Sequence, residues 1–519
     1  MSRLKKFTRS LFSGYFMLGA NFFYTFGSVP LAMHYLGTKE FGLWAFVSSI
    51  SGYINLIDLS MSASVGRILI DHKDDRQTGV YGSVIKTGAL VGLVQGVLVV
   101  LVGTVISMLV GSLLRVPVEL RGEFVWLLIG QTALLSITFV MRIFNQLLFA
   151  HQRLDITNYS SSAFFFLNLG AMWAGFAGGL GIYSFLIGQA VMNLGNIVVN
   201  AVCCMRLGLL PRAGEWGVAS WTSFRELFAF GQGLFLVSVG TQLISTSQTI
   251  LLTGLLGLEA AAVWNVCTRA YVMLTMLVWR VLDYSAPALS EMVVRGEREK
   301  LLGRLRDITV LMASLSVVGG ALFAMGNAPF VQVWMRGKIY WPQVNNVLLA
   351  LWFFFSTIMR IHTGFVGITK RFGFLRFIFL IEGFAFVSLN LLFRDASSMT
   401  LMLVFSFICT LACSLPYGLW RTRQYFGINW SELAGWFRPT WQMTWRLVPL
   451  VAMVWWLTHG LTSKWQFASN IALSGLCGLV LLLRYGLDET LKNEFIQRAP
   501  AWMQKFLVTV FCQRYNPAK

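Results

Sequence analysis

Apolar runs of eighteen or more residues recur along the whole chain, separated by short polar joints. Runs of that length predict membrane-spanning helices. The pattern predicts about fourteen spans, near 11–35, 41–69, 87–113, 124–150, 159–178, 183–205, 227–254, 260–289, 308–327, 345–368, 374–392, 400–420, 447–460 and 467–484. The first follows "MSRLKKFTRS", which could imitate a signal peptide. Its length, the lack of a small-residue cleavage site and the spans behind it make it the first transmembrane helix. The thirteenth is short, and Trp455 and Trp456 suggest that it ends at an interface.

Composition agrees with the pattern. Of 519 residues, 56% are hydrophobic and 12% charged, about half the charged fraction of a soluble domain. The fold class expected is an all-α polytopic membrane protein. The net charge of +19 does not point to nucleic acid, because the basic residues are scattered over short loops without one basic face. They follow topology instead. With the N-terminus inside, about 29 Lys and Arg fall in inner segments such as "RGEREKLLGRLRD" and "KRFGFLR". The outer loops hold only Lys39, Arg115, Arg121, Arg336, Lys338, Arg394 and Lys464. Both termini are therefore expected in the cytoplasm.

Five arginines remain inside the apolar runs: Arg67, Arg142, Arg269, Arg280 and Arg360. They accompany three acids, Asp58, Asp283 and Glu382. A charge at mid-bilayer costs at least about 2.5–3.5 kcal/mol, so it needs a partner or a wet cavity. An excess of cations favours an anionic ligand, and guanidinium suits phosphate because it stays charged and presents a planar fork. Each arginine also has a plainer use. Arg67 can snorkel. Arg280 and Asp283 are three apart and can pair along one helix face. Arg142 and Arg360 can form ion pairs between lobes with Asp58 or Glu382. The three acids can instead carry a coupling proton or cation. His34 and His362 fit best as satisfied polar residues.

Two stretches repeat. "MRIFNQLLFAHQR" at 141–153 matches "MRIHTGFVGITKR" at 359–371, an offset of 218. "YLGTKEFGLWAF" at 35–46 matches "LLGLEAAAVWNV" at 255–266, where Leu36, Gly37 and Trp44 correspond to Leu256, Gly257 and Trp264 at an offset of 220. Nearly equal offsets imply two six-helix lobes in parallel orientation, with a site expected between them near the midplane. Arg142 and Arg360 each precede a cytoplasmic arginine, Arg153 and Arg371, by eleven residues. At about 1.5 Å per residue, each lies on the order of 16 Å into a core of roughly 30 Å. The domain organisation expected is an N-lobe at 1–205, a cytoplasmic joint at 206–226, a C-lobe at 227–426, two further helices at 427–487 and an amphipathic cytoplasmic tail at 488–519. In that tail, "WMQKFLVTVF" would lie on the membrane surface. "WSELAGWFRPTWQMTWR" fits an interfacial belt.

Several chemistries have no motif here. There is no P-loop, HExxH or G-x-S-x-G pattern. Cys203, Cys204, Cys267, Cys409, Cys413, Cys477 and Cys512 have no metal-binding spacing. Neither metal nor cofactor is expected, and "GGLG" at 178–181 fits a tight outer turn.

"YLGTKEFGLWAFVSSISGYINLIDLSMSASVGRILI", "FGQGLFLVSVGTQLISTSQTILLTGLLGLEAAAVW" and "FVQVWMRGKIYWPQVNNVLLAL" followed by "GITKRFGFLRFIF" resemble signature regions of the multidrug/oligosaccharidyl-lipid/polysaccharide (MOP) exporter superfamily. The chain is most similar to its Wzx-type polysaccharide flippases. One departure is "DLSMS" at 58–62, where relatives often have Gly after Asp-Leu. The resemblance implies a bacterial inner-membrane flippase, not an enzyme. Its substrate would be an oligosaccharide on undecaprenyl pyrophosphate. Arg142, Arg360, Arg269 and Arg280 would bind the pyrophosphate, and glycosyltransferases and a polymerase would act alongside. A peptidoglycan-precursor flippase would use a similar cationic cleft. A drug antiporter of the superfamily should have a net acidic cavity. A glycosyltransferase or ligase would need a catalytic outer loop, and the longest, about 328–344, holds no acid.

Overall fold

A computed structural model describes residues 3–72, 78–113, 116–369, 373–498, 504 and 511, and it is helical throughout. Two compact units are present, residues 1–265 and 266–519. The first contains α1 (Arg3–Tyr35), α2 (Thr38–Ile54), α3 (Met61–His72), α4 (Val80–Leu113), α5 (Arg121–Ala150), α6 (Leu154–Ala177), α7 (Ser184–Arg206), α8 (Trp221–Ser245) and α9 (Ser247–Leu256). Helix α10 (Leu258–Cys267) runs across the division. The second unit contains α11 (Arg269–Arg295), α12 (Arg298–Trp334), α13 (Gln343–Ile368), α14 (Leu375–Leu392), α15 (Met399–Ala412), α16 (Ser414–Phe426), α17 (Trp430–Gly435), α18 (Arg438–Thr458), α19 (Ser463–Leu481) and α20 (Glu489–Arg498).

Among the described residues, eleven helices are long and apolar enough to cross a membrane. The three expected spans outside that set are 41–69, 159–178 and 447–460. The first is broken into α2 and α3. The other two, in α6 and α18, carry polar or charged side chains among their apolar ones. The stretch 502–511 of the expected surface tail lies outside the described residues except for Gln504 and Phe511, and Arg371 lies outside them as well.

Helix α4 shows how a spanning helix divides its faces. Leu90, Val94, Val97, Leu101, Val105 and Met108 are exposed at helical spacing, as suits a lipid-facing stripe. The other side packs closely on α5. A Cβ on Gly92 would come 2.6 Å from the Phe139 carbonyl oxygen. Within unit 1, Met61, Leu69, Tyr81, Leu147 and Leu227 form a buried core near the base of these helices. The two members of the 220-offset repeat also meet in this unit. At Gly42 a Cβ would lie 1.9 Å from the Leu258 carbonyl oxygen, so only glycine allows α2 and α10 to cross so closely. Lys39 and Glu259 flank this crossing at 3.9 Å.

The division at 265/266 places α8 and α9 with the first unit, although the repeat assigns them to the second lobe. Their polar ties explain the packing. Gln242 donates to the Gly52 carbonyl at 2.9 Å, and the Tyr53 hydroxyl donates to the Gln242 carbonyl at 3.1 Å.

Among the described residues four spans are interrupted by a step between helices, and each of these steps has a side chain bonded to its backbone. Between α2 and α3, Leu59 and Ser60 take φ of 49° and 58°. There Gln95 of α4 donates to the carbonyls of Ile57 and Asp58 at 3.0 and 2.9 Å. Tyr53 serves the α8–α9 step. Asn327 donates to the Cys267 carbonyl at 3.0 Å beside the α10–α11 step. Glu382 accepts from the Ser414 N–H at 3.2 Å at the α15–α16 step. In hydrocarbon, freed backbone groups require such partners.

Two outcomes follow for purified protein in detergent. Gln95→Leu removes both donors and should lower unfolding stability by about 1–3 kcal/mol, read as a lower thermal midpoint. An unchanged midpoint would contradict the role given to Gln95. Ser60→Gly relieves a left-handed backbone and should stabilise by up to about 1 kcal/mol. A lower midpoint would show that the Ser60 conformation is not strained.

Candidate functional site

The α2–α3 break does more than bend the chain. It presents Asp58 at the end of a one-turn 3₁₀ segment, Asn55–Asp58. The Asp58 carboxylate accepts from the Ser62 hydroxyl at 2.7 Å and from the Ser62 N–H at 3.3 Å. Arg142 of α5 then completes the cluster. Its Nη1 donates to Asp58 and to the Ser62 hydroxyl. Its guanidinium carbon lies 4.1 Å from the centroid of the Phe139 ring, a cation–π contact. Both charged side chains are about one-fifth exposed, 19% for Arg142 and 20% for Asp58. Among the described residues these polar contacts all use Nη1.

The second unit holds a counterpart. Arg360 of α13 donates through Nη2 to Asp283 of α11 at 3.1 Å. Its guanidinium carbon is 5.4 Å from the ring of Trp279, whose indole N–H donates to Thr357 at 3.3 Å. The pair is more open, with side chains 40% and 38% exposed. The Nε of Arg360 is buried without a hydrogen-bond partner among the described residues. The repeat places Arg142 and Arg360 on corresponding helices. Their partners Asp58 and Asp283 also lie on corresponding spans, the second and the eighth. Among the described residues, each unit thus brings an arginine, an aspartate and an aromatic ring together, with the ring on the arginine's helix in the first unit and on the aspartate's helix in the second.

Three expectations change. Arg142 and Arg360 do not pair between lobes with Asp58 or Glu382; each finds its acid within its own unit. Asp283 does not pair with Arg280 along α11, because Arg360 reaches it from the neighbouring helix. Arg280 has no ion-pair partner among the described residues. Glu382 has no arginine partner among the described residues. It is fully buried and accepts from Thr410 at 3.0 Å and from the Ser414 N–H, so it caps a helix step. Arg269 opens α11 immediately after the α10–α11 step. Arg67 is exposed and lies 3.7 Å from Asp71, consistent with snorkelling. His362 is buried with Nδ1 2.9 Å from the Thr422 hydroxyl, but its Nε2 is buried without a hydrogen-bond partner among the described residues, so it is satisfied on one side only.

Sequence reasoning missed Ser62, Gln95 and Trp279. Ser62 and Gln95 are small or neutral polar residues in apolar runs, and only the register of the packed helices shows what they reach. The Arg142 cluster opens on a crevice of about 20 Å³, enough for a water but not for a phosphate. Beside it runs a larger groove of about 570 Å³. The groove shares Met61, Val91 and Gln95 with the crevice, and its walls are mostly apolar, including Leu90, Trp221 and Phe224.

No curated protein matches the sequence. Several solved transporters share the fold. The lipid II flippase MurJ, in an inward closed conformation, superposes with a TM-score of 0.64 at 13% identity, covering 92% of this chain and 98% of that one. An inward-facing multidrug resistance MATE family transporter of the MOP superfamily gives a TM-score of 0.59 at 14% identity, over 79% and 95%. The Vibrio cholerae MATE transporter VcmN in the bent form gives 0.51 at 14%, over 83% and 98%. At such identities the likeness is one of fold: this is a multi-pass membrane protein with the helical architecture of MOP-superfamily transporters. The sequence profile described as "Polysaccharide biosynthesis protein" matches residues 8–293, more than half of the chain, and the protein belongs to that family.

Proposed function

We propose that the protein carries undecaprenyl-pyrophosphate-linked oligosaccharide from the cytoplasmic to the periplasmic leaflet of a bacterial inner membrane, by alternating access, for surface polysaccharide synthesis. One observation carries the reading: each unit embeds an arginine held by an aspartate and flanked by an aromatic ring. Arg142 and Arg360 are the proposed pyrophosphate ligands, with Arg269 and Arg280 assisting. The two equivalent halves are proposed to join through 206–226.

The chemistry supports the assignment. An intramembrane ion pair satisfies its own charges while no ligand is bound. An incoming pyrophosphate competes with the aspartate for the guanidinium, which has further donors to offer. The crevice at Arg142 is too small to admit that group as it stands, so binding requires Asp58 or α3 to move. The adjoining apolar groove suits the prenyl chain, which keeps the tail in a hydrocarbon-like setting while the headgroup is held. An inside-negative potential would drive the anion outwards by about 2.3 kcal/mol per charge per 100 mV.

The test uses cells lacking the native gene, complemented at equal protein level. Arg142→Ala and Arg360→Ala should each reduce surface polysaccharide by about tenfold or more, the loss expected when one charged hydrogen bond of at least about 1.5 kcal/mol disappears. Lysine at either position should retain an intermediate amount, because it keeps the charge but loses the fork. Normal export in all four variants would remove both arginines from the mechanism.

A further inference from the structure

At the end of unit 2 that the charge distribution assigns to the cytoplasm, α11 stops at Arg295 and turns through Gly296 (φ 70°) into α12. Helix α16 ends beside this turn at Phe426. Between them opens a cup of about 430 Å³, within the roughly 300–1,000 Å³ range of small-ligand sites. Met292 and Leu301 give it an apolar floor. Arg298, Arg421, Gln424 and Tyr425 give it polar walls.

The walls are cationic and organised. Arg298 donates through Nη2 to the Tyr425 carbonyl at 2.7 Å, which fixes its fork at the rim. Arg421 donates through Nη1 to the Gln424 side-chain oxygen at 2.8 Å, and its guanidinium carbon lies 5.8 Å from the Trp420 ring. No Asp or Glu is among the described lining residues. On the flanking turns Glu291 pairs with Arg295, and Glu297 with Lys300 at 3.3 Å, while Glu299 is not among the lining residues. Large apolar side chains next in sequence to lining residues, and on the short helix after α16, are exposed. Val294 is 85% exposed, and Trp420 and Trp430 are also exposed, as at a membrane–water boundary.

We infer that this cup binds the phosphate of an anionic phospholipid headgroup, with the acyl chains lying over Val294. Two guanidinium groups at a rim with no carboxylate among its described lining residues suit a phosphate oxygen pair. Basic pockets between spanning helices on the cytoplasmic side are suited to anionic headgroups. The cup shares no residue with the Arg142 or Arg360 clusters, and the inference does not depend on the proposed glycan substrate.

The test is native mass spectrometry of the full chain in detergent, titrated with phosphatidylglycerol, cardiolipin, phosphatidylcholine or inorganic phosphate. Wild-type protein should retain one phosphatidylglycerol or cardiolipin in preference to phosphatidylcholine. Arg421→Gln, which leaves the Arg298–Tyr425 tie intact, should bind about tenfold more weakly. Arg421→Lys should bind between the two. Arg446→Gln, outside the cup, should match wild type. If inorganic phosphate displaces the lipid from wild type but not from Arg421→Gln, the phosphate chemistry is supported. Saturable binding of inorganic phosphate without retained lipid would keep that chemistry but overturn the lipid source. Equal retention of anionic and zwitterionic lipid, or equal binding by wild type and Arg421→Gln, would overturn the inference.

Discussion

A backbone carbonyl in hydrocarbon must be hydrogen-bonded by protein, and this constraint shapes the chain wherever a spanning helix is broken. Four breaks occur among the described residues, and Gln95, Tyr53, Asn327 and Glu382 each provide a hydrogen bond there. The breaks are where chemistry-bearing residues gather. Asp58 stands at the first, Arg269 follows the third and Glu382 caps the fourth. A continuous helix would have no reason to place a polar anchor at these depths. A broken one needs the anchor and can carry charges beside it.

The embedded charges follow a second rule. Each of the two principal arginines is matched by an aspartate on a neighbouring helix of its own unit and by an aromatic face. Removing one partner from a buried pair leaves an uncompensated charge, which is costly. That cost applies to Arg142–Asp58, each about one-fifth exposed, far more than to the open Arg360–Asp283 pair. A site that is neutral when empty and cationic when the aspartate yields suits a carrier of pyrophosphate lipids. The Asp58–Arg142 pair is the more enclosed of the two and the Asp283–Arg360 pair the more open.

Much of the architecture was legible in the sequence because apolar length and charge bias are direct consequences of the bilayer. The pair "MRIFNQLLFAHQR" and "MRIHTGFVGITKR" marks out Arg142 and Arg360, and each of these proves to contact an aspartate of its own unit. Partner choice was not legible. Asp283 lies three residues from Arg280, which suggests a local pair, yet Arg360 reaches it across a helix interface. Glu382 reads as a charge seeking a cation, yet it satisfies a backbone N–H and a threonine. Ser60 replaces a glycine expected from relatives, and its position explains that preference: φ is 58° there. Such assignments depend on helix rotation and on where helices break, and periodicity fixes neither.

The central claim is that aspartate holds each arginine until an anionic lipid takes it. It is tested most directly by measuring binding of undecaprenyl-pyrophosphate-linked oligosaccharide to purified wild type, Asp58→Asn and Arg142→Gln, each normalised to folded protein. The account predicts that Asp58→Asn binds as tightly as wild type or more tightly, because the competitor is gone, while Arg142→Gln binds about tenfold more weakly. If the pair serves only to hold α3 against α5, both variants should lose affinity equally, and that result would contradict the account.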